Sequence, residues 1–167
     1  MAHVLILGMT ESGKTTLAKT LASRYQKAGF TCIVLDAIGD NWPTEYVYND
    51  KDLFLDVVKR SRRCMVFIDE AGEAVGRYDS EMFWLATRGR HYGHSVHFIT
   101  QRGQQLSPTV RGQAGYLALF NCSSTDARLL GDEWNREELR NAHQLARGEY
   151  FWTPRFGSIK KLRLWEE

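Results

Sequence analysis

The sequence predicts an α/β fold in which a mostly parallel sheet is covered by helices on both faces. Three observations carry this. Short apolar runs such as Val4–Leu7, Cys32–Leu35, Cys64–Ile68 and Leu117–Phe120 are separated by stretches with helical periodicity, the pattern of repeated strand–helix–strand units. The run Cys64–Ile68 is apolar throughout, as a parallel strand buried on both faces should be. Val4–Leu7 leads directly into a glycine-bearing loop and then a helix pattern. In sheets of this kind ligands bind at the carboxyl ends of the strands.

Taken in order, residues 3–8 form the first strand and 14–28 a helix ending near Gly29. A second strand covers 31–36. Residues 37–50 read as a loop with Pro43 and the aromatics Trp42, Tyr46 and Tyr48, and 51–61 as a short helix carrying Leu53, Leu55, Val57 and Val58. The third strand is 64–69, followed by a helix over 79–91 and a fourth strand over 95–101. Residues 115–122 form the fifth strand. Ser123 or Ser124 caps a helix near 125–131, a further helix covers 135–146, and 148–153 return as a strand. The division expected is one domain over 1–153 and a basic, aromatic segment over 154–167, read as an edge strand or a docking segment.

The chain has 167 residues, 43% hydrophobic and 25% charged, a globular composition large enough for a real core. A net charge of +2 implies no broad basic surface, so a nucleic acid would be gripped locally or by several subunits together. Cys32, Cys64 and Cys122 are far apart and form no Cys-x-x-Cys pair, which suggests reduced core thiols and no zinc site. No signal peptide precedes the first strand, and no uncharged apolar run approaches the about 20 residues that span a bilayer. The expectation is a soluble intracellular protein with no accessory domain ahead of the glycine loop.

That loop, Gly8-Met9-Thr10-Glu11-Ser12-Gly13-Lys14-Thr15, has the Walker A spacing G-x-x-x-x-G-K-T. Backbone N–H groups and the helix N-terminus make a concave site for phosphate oxygens. The expected nucleotide-binding residues are Gly8, Thr10, Glu11, Ser12, Gly13, Lys14, Thr15 and Thr16. Lys14 would reach the β- and γ-phosphates and the Thr15 hydroxyl would sit on Mg²⁺. The ligands implied are ATP and Mg²⁺, in a three-layer P-loop NTPase.

The third strand ends in Asp69-Glu70. Asp69 is placed to hold Mg²⁺ as a Walker B residue, and Glu70 to polarise a water for attack on the γ-phosphate. Glu70 could instead open the following helix, where the dipole favours acids. Gln101 closes the fourth strand and would sense phosphate or orient water, or make a structural hydrogen bond. For an arginine delivered from a neighbouring subunit the candidates are Arg88, Arg90, Arg102 and Arg111, and spacing does not choose among them.

Three stretches together resemble the FtsK/HerA branch of P-loop motor ATPases: Gly8 to Thr15, Val66-Phe67-Ile68-Asp69-Glu70, and Arg88 to Arg102, whose last strand closes in Thr100-Gln101-Arg102. The weaker C-terminal stretches Leu119–Leu130 and Leu145–Tyr150 also fit, so the likeness spans about residues 4–152. The resemblance implies a RecA/FtsK–HerA-like fold, Gln101 as a polar sensor, and a ring, hexameric or pentameric, that moves double-stranded DNA. Two departures stand out: Gly103 occupies the place of the family's usual Pro, and Tyr116-Leu117 that of an arginine at the start of the fifth strand. That second change moves the expected arginine finger to Arg88, Arg90 or Arg111. A bare motor core looks most like the genome-packaging ATPases of viruses with membrane-containing icosahedral capsids. This analogy implies a protein of the host cytoplasm or the virion, with capsid or portal partners met through 154–167.

DNA contacts would come from Gly76-Arg77-Tyr78-Asp79-Ser80, from the 37–50 loop, or from Lys59-Arg60-Ser61-Arg62-Arg63; each also reads as an ordinary turn, a packing segment or a solvated face. The competing readings are a small nucleoside or nucleotide kinase, a filamentous-phage-type assembly ATPase and a slow nucleotide switch. The kinase would need an arginine-rich lid, and the run 101–115 is sparse in arginine.

Overall fold

A computed structural model describes residues 2–74 and 80–165. The elements in chain order are β1 (His3–Leu7), α1 (Lys14–Lys27), β2 (Cys32–Leu35), β3 (Val47–Tyr48), α2 (Lys51–Arg60) and β4 (Met65–Ile68). They continue as α3 (Ala71–Ala74), α4 (Ser80–Arg88), β5 (Ser95–Thr100), α5 (Pro108–Gln113), β6 (Ala114–Phe120), α6 (Ser124–Glu133), β7 (Glu149–Pro154) and β8 (Lys160–Arg163).

The eight strands form one sheet in the order β3-β2-β4-β5-β1-β6-β7-β8. It is parallel from β3 through β6, and β7 and β8 are antiparallel additions. Each strand feeds both faces. Leu5 and Leu7 pack with Phe54 and Val58 of α2, Leu85 of α4, Val110 of α5 and Leu130 of α6. Val4 and Ile6 point the other way, to Leu17, Ala18 and Ala22 of α1 and to Trp42. These are the three layers the apolar runs predict.

Local chemistry explains the element ends. The Asp50 carboxylate accepts from Leu53 N–H to open α2, and Ser123 Oγ accepts from Asp126 N–H to open α6. The sequence reading passed over α5, although Ser107 caps it through Val110 N–H and Pro108 supplies its first turn. The α-helix expected over 135–146 is a 3₁₀ helix over Glu137–Gln144. Its buried residues Leu139 and Ala142, and Leu145 just after it, recur every third position, which matches 3₁₀ and not α periodicity.

The boundary expected at 153/154 falls inside β7, and β8 extends the same sheet. Arg155 ties this segment down. Its guanidinium donates to the carbonyls of Arg111, Ala114 and Glu133 and lies 3.7 Å over the Trp134 ring. Within 154–167, Lys160–Arg163 form the outermost strand of the sheet, paired with β7.

Candidate nucleotide site

The P-loop leaves β1 at the centre of the carboxyl edge and is held from both sides. Gly8 N–H donates to Thr100 O of β5 at 3.2 Å, and Met9 N–H donates to Asn121 O beyond β6 at 2.8 Å. Its two glycines are required for different reasons. A Cβ at Gly8 would lie 2.6 Å from Phe120 Cβ and 2.7 Å from Ser12 Oγ. Gly13 has φ 118°, open to glycine and strained for other residues. Glu11 is also left-handed, at φ 64°. The loop thus holds left-handed backbone at two positions, at a conformational cost of the kind stored at ligand sites.

Ser12 Oγ is buried there without a hydrogen-bond partner. Buried hydroxyls are ordinarily paired, so this one fits an oxyanion in the cradle. Lys14 is buried, and its ammonium donates to Met9 O at 2.9 Å. Burial lowers its pKa, against the pull of Glu70 and Asp69.

Asp69 follows β4 and is held by its N–H on Leu35 O. Thr15 Oγ1 donates to Asp69 Oδ2 at 3.5 Å. Burial, with the nearby Asp36 and Glu70 carboxylates, pushes the Asp69 carboxyl up to about 6. A cation would offset that repulsion, and the oxygens of Asp36, Asp40 and Asp69 lie within 4.8 Å of one another. Hydroxyl and carboxylate oxygens are the donors Mg²⁺ takes, so Thr15 and Asp69 fit it. Asp36 is already committed. Burial alone would raise its carboxyl, but donors from Trp42 Nε1 and the Ile38, Gly39 and Asp40 amides hold it below its usual range.

Glu70 has φ 54° and lies outside the four-residue α3; its position is a strained turn and not the helix start that the sequence also allowed. Its Oε1 accepts from Gln101 Nε2 at 3.4 Å. This meeting follows from the strand order, because β5 lies between β4 and β1. Gln101 is therefore between the two Walker motifs.

The arginine candidates separate. Arg111 is buried, pairs with Glu133 at 2.8 Å and donates to the Gly103 and Leu106 carbonyls. Such a group cannot reach a neighbouring subunit, and the finger expected there is corrected to a structural arginine. Arg88 and Arg90 are exposed. Arg90 donates to Gln113 O and lines a cavity with Ala2, at the amino edge of the sheet. Arg102 is exposed beside Gln101.

Trp42, expected in a DNA-contacting loop, is buried against Phe67, so that role is withdrawn for it; Tyr46 is exposed and Tyr48 half-buried. Lys59 and Arg62 lie over the rings of Trp84 and Tyr92. The segment 76–80, with Arg77, falls outside the described residues except for Ser80. Among the described residues no helix is long and apolar enough to cross a membrane.

Comparison with known proteins agrees with this geometry. Residues 1–79 match the family Helicase HerA, central domain, a span that holds both Walker motifs. The chain has a P-loop ATPase fold. The match of this fold to solved structures runs through the second half as well. The genome packaging NTPase B204 from Sulfolobus turreted icosahedral virus 2 superposes with a TM-score of 0.81 at 20% identity, over 99% of this chain and 98% of that one. VirB4 of Thermoanaerobacter pseudethanolicus gives 0.73 at 12% identity, over 99% and 89% of the two chains. The pCW3 conjugation coupling protein TcpA gives 0.77 at 14%, over 97% of this chain and 59% of TcpA. No curated protein matches in sequence.

Sequence reading missed Asp36 and two groups at the far end of the chain, Arg147 and Trp165, which line a cavity with Lys14 and Thr15. Asp36, closing a strand before an Ile-Gly-Asp turn, was a visible signal. For Arg147 and Trp165 no local signal exists.

Proposed function

We propose that this protein hydrolyses ATP at the P-loop and couples hydrolysis to movement of double-stranded DNA, as a ring that packages a viral genome into a preformed capsid. The observation that carries the reading is the Gln101–Glu70 contact at 3.4 Å, beside Asp69. A carboxylate held by a neutral amide beyond the Walker B residue is placed to take a proton from water. A kinase would leave that position to an acceptor hydroxyl.

Lys14 and the loop amides bind the phosphates, and Thr15 and Asp69 hold the metal. Mg²⁺ supplies charge neutralisation on the phosphate oxygens. Gln101 orients Glu70 and turns it toward the attacking water. Arg88 and Arg90 lie far from their own P-loop, so either would act on the site of a neighbouring subunit. The packaging role rests on likeness to B204, described as a genome packaging NTPase, and implies action in the host cytoplasm and at the virion.

Steady-state phosphate release tests this across protein concentrations, with and without double-stranded DNA. Specific activity should rise with concentration and with DNA, and Lys14→Ala should abolish it. Slow, concentration-independent hydrolysis without a DNA response would reject the motor, and stoichiometric consumption of a nucleoside acceptor would establish the kinase.

A further inference from the structure

The sheet order gives a bound nucleotide its direction. Asp69, Glu70 and Gln101 stand at the ends of β4 and β5, to one side of β1, while β6, β7 and β8 lie to the other. The phosphate to be cleaved must face the carboxylates, so the rest of a nucleoside triphosphate runs toward the β6–β8 side.

On that side a cavity of about 130 Å³ opens against residues 11 and 13–16, closed by Arg147 and Trp165. Arg147 Nε donates to Glu11 O at 3.1 Å and Gly148 N–H donates to Ser12 O at 3.0 Å, fixing this wall to the P-loop. Leu164 N–H donates to Gly148 O, and Leu164 Cδ1 lies 2.5 Å from where a Gly13 Cβ would be. The benzo part of the Trp165 indole rests on Gly148, with Cζ2 and Cε2 2.8 and 2.9 Å from the position of a Cβ there. Gly148 has φ 84°, so bare backbone carries the ring. The indole remains 44% exposed, an aromatic surface at the mouth of a polar cavity.

A larger cavity of about 410 Å³ beside Trp42 is the other place for a base. It lies on the wrong side, because Trp42 packs on Phe67 of β4. Its ring is also committed, with Nε1 on Asp36 and Lys19 lying over it.

We propose that Trp165 is the stacking platform for the nucleobase of the bound nucleoside triphosphate, with Arg147 holding it in register with the P-loop. This rests on the nucleotide-site reading above. Stacking on an indole accepts any base, so ATP and GTP should depend on it alike.

The test is calorimetric binding of AMPPCP, its guanine counterpart GMPPCP, and inorganic tripolyphosphate, which has no base. Trp165→Ala should weaken both nucleotide analogues about tenfold and leave tripolyphosphate unchanged, and Trp165→Phe should restore most of the loss. Equal weakening of all three ligands would make Trp165 a scaffold for the loop and overturn the proposal. So would unchanged affinities. A wild-type protein that binds tripolyphosphate as tightly as AMPPCP would overturn the platform alone. One that binds neither would remove the nucleotide site and the platform with it.

Discussion

Buried histidines at the amino end of the parallel strands and the buried groups of the phosphate loop and acidic strand end at the carboxyl end are treated in opposite ways. At the amino end, His3 accepts from Val96 N–H through Nδ1 and donates to Ala86 O through Nε2. His94 likewise accepts from Cys64 N–H and donates to Val58 O, and Ser95 Oγ donates to Ala2 O. The partners assign each ring a neutral tautomer. At the carboxyl end Ser12 Oγ is buried without a partner, the Asp69 carboxyl is pushed up to about 6 by burial and neighbouring carboxylates, and Glu11 and Glu70 hold left-handed backbone. The histidines at the amino end are fully paired, while the loop hydroxyl and the acidic strand end at the carboxyl end carry unmet demand. Unmet hydrogen bonds and strain persist where a ligand completes them, which fits an anion and a cation at the phosphate loop and the acidic strand end; left-handed backbone alone does not mark the site, since Arg63 and Asn135 hold it as well.

The largest expected effect separates chemistry from folding. Glu70→Gln should lower turnover about 10²- to 10⁴-fold and leave AMPPCP affinity intact; phosphate release and calorimetry read the two, and a wild-type rate would remove Glu70 from the mechanism. At the opposite end His94→Ala should do the reverse. It strands a buried N–H and a buried carbonyl and opens a cavity, at about 2–4 kcal/mol of unfolding free energy. Its rate per folded molecule should not change, and urea unfolding beside phosphate release checks this.

A third test is pH. Burial lowers both His3 and His97 from 6.5 to about 4. Their folded pKa values lie below the unfolded one, so their contribution is complete above pH 6.5 and is lost as pH falls toward 4. By pH 5 each would cost about 2 kcal/mol, read as a falling urea midpoint. His97→Gln, which has no proton to take up, should flatten the slope. The smallest effect belongs to Ser12→Ala. A hydroxyl that makes no hydrogen bond in the fold should change stability by under about 0.5 kcal/mol while weakening nucleotide binding; a large loss of stability would mean that the hydroxyl is satisfied in the free protein.

Much of the fold was legible because its causes are local. Eight residues suffice for the P-loop, and the apolar run ending in Asp69-Glu70 needs only its neighbours in sequence. A serine cap acts over three residues, which made α6 readable, and the apolar positions within 51–61 made α2 so. The 3₁₀ segment at 137–144 was misread because its threefold spacing lies close to 3.6, and α5 because six residues give too short a period.

The sequence by itself determined the phosphate cradle, the acidic strand end and the alternation of strands and helices, since backbone preference and side-chain periodicity are set within a few residues. Only the tertiary structure decided what meets across the sheet. Inserting β5 between β4 and β1 brings Gln101 to Glu70, 31 positions away in sequence. Folding α5 against α6 turns Arg111 into an internal ion pair with Glu133. Returning the chain through β7 and β8 carries Arg147 and Trp165 to the P-loop. These are contacts of topology, fixed by strand order and the burial of two sheet faces at once, and no local pattern encodes them.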